Sequence, residues 1–195
     1  MINTKKTIIA LLLLLVVLAG AWLYYDHVSF DPARLEAELM QQFGGGERAA
    51  QVYGLQELDG YKFCAYTIDG KLTGSAMLVK NRLGKYEIDH SRHFGDPKYY
   101  FHSYVYCDPT AEPPASYLVV AGLRENEVDQ AVCTYLAADG QYHDQEVTVY
   151  NDGPCFLGVS RLPDAAPNSY YEAAATVLYY QGIDVTDVII KSGVS

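Results

Sequence analysis

Positive charge is scarce in this chain: 14 Lys and Arg residues stand against 24 Asp and Glu, a formal net charge of −10 at pH 7. There is no basic stripe to attract a phosphate backbone or an anionic headgroup, so nucleic-acid partners are set aside. The signatures of common catalytic chemistries are lacking too. The sequence has no Gly-x-Ser-x-Gly elbow, no Walker phosphate loop, no dinucleotide-binding glycine run and no His-Glu-x-x-His helix. Gly44-Gly45-Gly46 follows a helical pattern instead of joining a strand to a helix, so it does not form a phosphate cradle. The carboxylates are scattered over turns and nominate no acid/base pair. No catalytic residue and no cofactor follows from the residues.

Charge is missing altogether from residues 8–25, IIALLLLLVVLAGAWLYY, which lie directly behind Lys5 and Lys6. A helix of that length rises about 27 Å at ~1.5 Å per residue, close to the ~30 Å hydrocarbon thickness of a bilayer. The expected layout is a cytoplasmic tail at 1–7, a transmembrane anchor at 8–25, a juxtamembrane helix and Gly linker at 26–48, and an extracytoplasmic domain at 49–190. A cleaved signal is the rival, because Ala19-Gly20-Ala21 offers small residues for cleavage near Ala21 and secretion. Retention is favoured by the apolar run continuing through Trp22, Leu23, Tyr24 and Tyr25, aromatic residues suited to the headgroup level. No Cys follows at a position suited to lipidation. Either outcome exports the same domain.

The exported part, residues 26–195, holds 12 basic and 24 acidic residues. An acidic surface suits cations or basic partners, and it also simply serves solubility. Tyr is abundant, with 18 residues against six Phe and one Trp. Spread along the whole chain, it fits half-exposed sheet faces packed by cross-strand pairs; the competing reading is a ligand surface for sugars or proteins. The four cysteines, Cys64, Cys107, Cys133 and Cys155, lack the C-x-x-C spacing of a metal site. In an oxidising compartment disulfides persist, yet each cysteine sits among apolar strand residues, so four buried thiols fit equally well. None has a basic neighbour that would activate it.

The pattern predicts a mainly β protein. Asp31-Pro32 opens a short amphipathic helix with a capping carboxylate and a proline at its first position, and Leu35, Leu39, Met40 and Phe43 form its apolar stripe. From residue 49 the period changes to two, with strands expected near 50–57, 61–68, 72–80, 85–91, 99–107, 116–123, 128–137, 145–150, 155–161 and 173–180. Asp59-Gly60, Asp69-Gly70, Asp139-Gly140 and Asp152-Gly153 supply tight turns. Residues 117–123 lack polar alternation, as expected of a strand covered on both faces. Residues 168–181 carry both an Ala-rich helical pattern and a β-rich Thr176-Val177-Leu178-Tyr179-Tyr180, and a strand is expected. The whole reads as an antiparallel β-sandwich-like domain, either one unit or two packed meanders at 49–107 and 116–190.

The second meander resembles a known kind of protein. Leu118-Val119-Val120-Ala121-Gly122, Val128 to Tyr135, Asp139-Gly140, Val147 to Tyr150 with Asn151-Asp152-Gly153, and Tyr179-Tyr180-Gln181-Gly182-Ile183 are similar to β-rich modules in uncharacterised membrane-anchored extracytoplasmic proteins of Gram-positive bacteria. The likeness covers roughly 117–189 and extends loosely to Tyr53–Ile88. It implies a membrane-tethered sandwich and no particular activity. Gln181 departs from the charged turn residue usual there, and the cysteines are not explained by it.

Ligand-type side chains concentrate only at Asp89, His90, His93, Asp96 and His102. His90, His93 and His102 are the candidate metal ligands, since zinc takes three protein ligands at an open site. On a strand end and loop, however, the three-residue spacing carries little meaning. His27 and His143 are isolated and read as surface residues. The leading expectation is a non-enzymatic interaction module of the cell envelope, with a protein or glycan partner. A metal-dependent hydrolase using the His90/His93/His102 region and a barrel carrying a small ligand are the alternatives.

Overall fold

In the computed structural model the described residues are 4–28, 30–42, 49–70, 72–82, 84–93, 101–108, 110–124, 127–163 and 171–187, with the backbone alone described at 4–7, 23–28, 72 and 93. Two helices, α1 (Thr4–Val28) and α2 (Pro32–Gln42), precede twelve strands. β1 (Ala50–Leu58), β2 (Tyr61–Ile68), β3 (Leu72–Lys80) and β4 (Tyr86–His93) form one antiparallel meander. The larger sheet comprises β5 (Phe101–Asp108), β6 (Ala115–Leu123), β7 (Gln130–Leu136), β8 (Tyr142–Asp152), β9 (Cys155–Leu162), β10 (Tyr171–Glu172), β11 (Ala175–Tyr180) and β12 (Ile183–Asp184), in the order β10-β5-β6-β9-β8-β7-β11-β12.

Expectation and structure agree on the mainly β, antiparallel character and on the short second helix. They part on where the sheets divide. β5 pairs with β6 and so belongs to the larger sheet, which puts the break between β4 and β5 and not at the Pro-containing connection after Cys107. Among the described residues no helix is long and apolar enough to cross a membrane. The expected span 8–25 is thus not supplied by the structure: described side chains in α1 run only from Ile8 to Trp22, about 22 Å at ~1.5 Å per residue.

The large sheet closes on itself. Segment 171–180 pairs first with β5, Tyr171 opposite Val105, and then with β7, from Ala175 opposite Thr134 to Tyr179 opposite Gln130. The handover occurs within two residues: Ala173 N donates to Ser103 O at 3.0 Å and Ala174 N to Thr134 O at 2.8 Å. β5, β6, β9, β8, β7 and this segment therefore form a closed antiparallel barrel, beside which β12 pairs with the end of β11 as a two-residue strand. Strand pairing prevails over the Ala-rich helical pattern here: the segment takes β5 as its partner at Tyr171–Ala173 and β7 from Ala174 onward. Val105, Cys107, Leu118, Val120, Ala131, Cys133, Tyr135, Val147, Val149, Phe156, Leu162 and Leu178 fill the interior.

The four-stranded sheet packs on the outside of the barrel. Phe63, Ala65 and Met77 meet Tyr106, Tyr117, Val119, Ala121, Cys155 and Leu157. β6 is consequently buried along both faces, Ala115–Gly122 without a break, as the missing alternation at 117–123 predicted. On the far side of the small sheet, Leu35 and Leu39 of α2 bury against Cys64, Tyr66, Ile68, Ala76 and Leu78. Asp31 caps α2, its Oδ1 accepting from Ala33 N at 3.1 Å and Arg34 N at 3.4 Å. Phe43, expected to extend the stripe, lies outside the described residues.

Edge strand β1 is shielded by carboxylates. Glu36 Oε1 of α2 accepts from Val52 N at 3.0 Å, and Asp152 Oδ2 of β8 accepts from Gly54 N at 2.8 Å. Gly54, at φ +52°, forms a bulge that lets β1 approach Leu157. Asp59-Gly60 and Asp69-Gly70 take positive φ at both positions, as type I′ hairpins require. β8 starts at Tyr142, earlier than expected, because residues 142–146 are open to solvent and show no apolar alternation.

Gly74 makes room for a buried ring. A Cβ there would stand 2.2 Å from Tyr66 Cζ and 2.5 Å from Arg92 O, while Tyr66 OH is held by Arg92 O at 3.0 Å. Gly74→Ala is expected to cost about 1–3 kcal/mol, the usual range for an overpacked core. The readout is a lower urea midpoint at unchanged m-value. An unaltered midpoint would show that the Tyr66 ring is not fixed as described.

Candidate functional site

Of the three nominated histidines, the structure describes the side chains of His90 and His102. His102, on β5, is buried between the two sheets with Nε2 2.8 Å from Ser75 Oγ on β3. His90 lies on β4 with Nδ1 2.7 Å from Asp89 Oδ2 near the surface. The side chain of His93 and all of Asp96 lie outside what is described. Among the described residues no group of three or more His, Cys, Asp or Glu side chains is placed to hold a metal ion. His143 sits on the surface beside Asp139 at 3.2 Å.

A Ser–His contact of 2.8 Å is the geometry of an activated nucleophile. Here it is sealed: Ser75 is fully buried, and Tyr106 OH reaches both its Oγ at 2.8 Å and its carbonyl at 3.0 Å. The trio bridges β3 of the small sheet to β5 of the barrel and satisfies polar atoms that burial would otherwise leave costly. Sequence reading passed over Ser75. Its signal was parity, a polar residue on the same face of β3 as Met77.

All four cysteines are buried and free. Cys64 belongs to the layer under α2, Cys155 to the layer between the sheets, and Cys107 and Cys133 to the barrel interior. Burial pushes the thiols of Cys64 and Cys155 up to about 12 and that of Cys133 to about 11, so thiolate is scarce at neutral pH. Ellman's reagent is expected to titrate no thiol in the native protein and four after unfolding; rapid native reaction of any of them contradicts the packing.

Two surface grooves stand out among the described residues. The smaller, about 660 Å³, lies where the β1–β2 turn meets β5 and is lined by Asp59, Tyr61, Lys80, Asp89, His90 and Asp108 among others. Tyr61 donates its phenolic hydrogen to Asp108, and Asp59 accepts from Tyr117 OH at 3.2 Å and from Arg161 Nη1 at 3.0 Å. These carboxylates are thus committed to tying the small sheet to the barrel. Partial burial and the Asp108 charge push Tyr61 up to about 12. Burial works to raise Asp108, but hydrogen bonds from Thr110, Tyr61 and backbone amides outweigh it and hold the carboxyl below its usual range.

The larger groove, about 750 Å³, runs between edge strand β1 and the outward faces of β8 and β9. Val147 and Val149 point into the barrel, so the alternation of β8 turns Glu146, Thr148, Tyr150 and Asp152 outward along one wall. Gly54 to Leu58 form the other wall, and the Asp152–Gly54 hydrogen bond spans the gap. Glu57, Glu146 and Asp152 line it, and no Lys or Arg does. Sequence reading missed this site because its two walls lie about 100 positions apart in the chain, as the Gln56 Nε2 to Leu157 O contact across a separation of 101 illustrates. Compared with family models, with curated proteins and with solved structures, the chain matches none.

Because the folded protein holds the Tyr61 proton more tightly than the unfolded chain, this group's contribution is complete below pH 10 and is lost as the pH rises towards about 12. The urea midpoint should fall over that window, and Tyr61→Phe should flatten the fall. An identical slope in the variant would show that Tyr61 titrates normally.

Proposed function

We propose that this chain is a single-pass membrane protein, N-terminus in the cytoplasm, whose exported β domain is a non-enzymatic binding module of the cell envelope. The observation that carries the reading is the surface of α1. Ile8, Ile9, Leu11 to Leu18 and Trp22 are 55–68% exposed, an apolar surface that continues around the helix instead of forming one stripe. A helix apolar on every side belongs in lipid or in a large core, while the β domain buries its own apolar layers. Lys5 and Lys6 before the run favour the N-in orientation. The open groove between β1 and β8 supports binding as the activity.

The hydrolase alternative gains no support from the described residues, where His102 is occupied by Ser75 and His90 by Asp89. The ligand-carrier alternative fares similarly, since side chains fill the barrel interior.

Proteinase K added to intact cells or protoplasts should remove the β domain and leave an N-terminal fragment. Alkaline carbonate should leave the intact chain with the membranes. Leu12→Asp with Leu15→Asp, at roughly 2.5–3.5 kcal/mol for each charge near a span centre, should release it. A domain that stays protected until the cells are lysed would sink the proposal, and an N-terminus cleaved near Ala21 would replace anchoring by secretion.

A further inference from the structure

The charge of this protein is divided unevenly. Residues 26–100, which hold α2 and the four-stranded sheet, carry 11 acidic and nine basic residues; residues 101–195, which hold the barrel, carry 13 acidic and three basic. The barrel half therefore accounts for nearly all of the excess negative charge. The four-stranded sheet covers the outer wall formed by β5, β6 and β9, whereas the outward side chains of β8 are left open to solvent.

We infer that the groove between β1 and β8 receives an extended, lysine- or arginine-rich polypeptide segment from a partner protein. This rests on the binding-module reading and gives it a ligand class. Three features select that occupant. The groove has an edge strand, Gly54–Leu58, as one wall and a sheet face of β8 and β9 as the other. Its charge is of one sign: among the described lining residues Glu57, Glu146 and Asp152 stand without a Lys or Arg. Glu57 shares Lys62 at 2.9 Å, Glu146 accepts from Gln130 Nε2 at 3.2 Å and Asp152 from Gly54 N at 2.8 Å, which leaves each carboxylate further acceptor capacity. Its apolar surface is aromatic and aliphatic: Tyr150 is 61% and Leu55 46% exposed, giving a ring for a cation to rest on and a surface for the methylene stems of lysine or arginine.

The spacing adds a register. Outward side chains on β8 recur every second residue, about 6.8 Å apart, which is also the repeat of one face of an extended peptide. A segment with basic residues at alternate positions can therefore address Glu146, Tyr150 and Asp152 together. Backbone pairing along the first half of β1 is blocked, since Glu36 and Asp152 already take the Val52 and Gly54 amides. Side chains, not strand addition, then carry the recognition.

The test uses the full chain in non-ionic detergent micelles with fluorescent peptides of about ten residues, matched to the 11-residue β8. Alternating Lys-Ser repeats should bind more tightly than a peptide of the same composition with its lysines in one block. Gly-Ser repeats should not bind. Glu146→Gln and Tyr150→Ser should each weaken the alternating peptide by roughly three- to fivefold. Glu112→Gln and Glu172→Gln, which remove the same charge elsewhere on the barrel half, should change it little. Equal weakening by all the carboxylate variants would reduce the effect to net charge and overturn the groove. Equal binding of the alternating and block peptides would overturn the extended register. Salt-independent competition by a neutral N-acetylglucosamine hexamer would reassign the groove to glycan. Failure here leaves the membrane topology standing, because detergent-solubilised protein reports nothing about orientation in cells.

Discussion

The wall formed by β5, β6 and β9 has no contact with water along its centre, and the architecture follows from that. One face lines the barrel interior and the other supports the four-stranded sheet. Such a wall needs apolar side chains at consecutive positions, which β6 provides over Ala115–Gly122. It also needs its polar groups satisfied internally, which the Ser75–His102–Tyr106 bridge achieves across the sheet interface. Loss of either sheet would expose an unbroken apolar strand, so the two sheets stand as mutually dependent layers.

Barrel closure explains why one short segment matters so much. Segment 171–180, with β10 at one end and β11 at the other, pairs with both β5 and β7 and switches partner at Ala173-Ala174. In the small sheet, carboxylates from α2 and β8 occupy the Val52 and Gly54 amides of edge strand β1. Protection of that kind keeps a flat strand from recruiting another copy.

Much of the strand pattern was legible in the sequence, because period-two alternation and Asp-Gly turns are local signals. β6 was legible for the opposite reason, its lack of alternation. The closure of the barrel was not, since partner choice is written in contacts between residues 73 positions apart, such as Ser103 and Thr176. The groove between β1 and β8 was not legible, for a related reason. Sequence reading followed residue type to His90, His93 and His102, whereas His102 proved to be a buried bridge and the open groove is built from ordinary strand residues.

The packing of α2 has a consequence for reach. Because Leu35 and Leu39 bury into the domain and Phe30 rests against the same layer, only three residues separate the end of α1 at Val28 from the start of α2 at Pro32. Three extended residues span about 10 Å. Under the proposed topology, with α1 in a bilayer, that linker would hold the β domain within about 10 Å of the lipid surface. An occupant of the groove would then have to come to the membrane or belong to a neighbour already seated there.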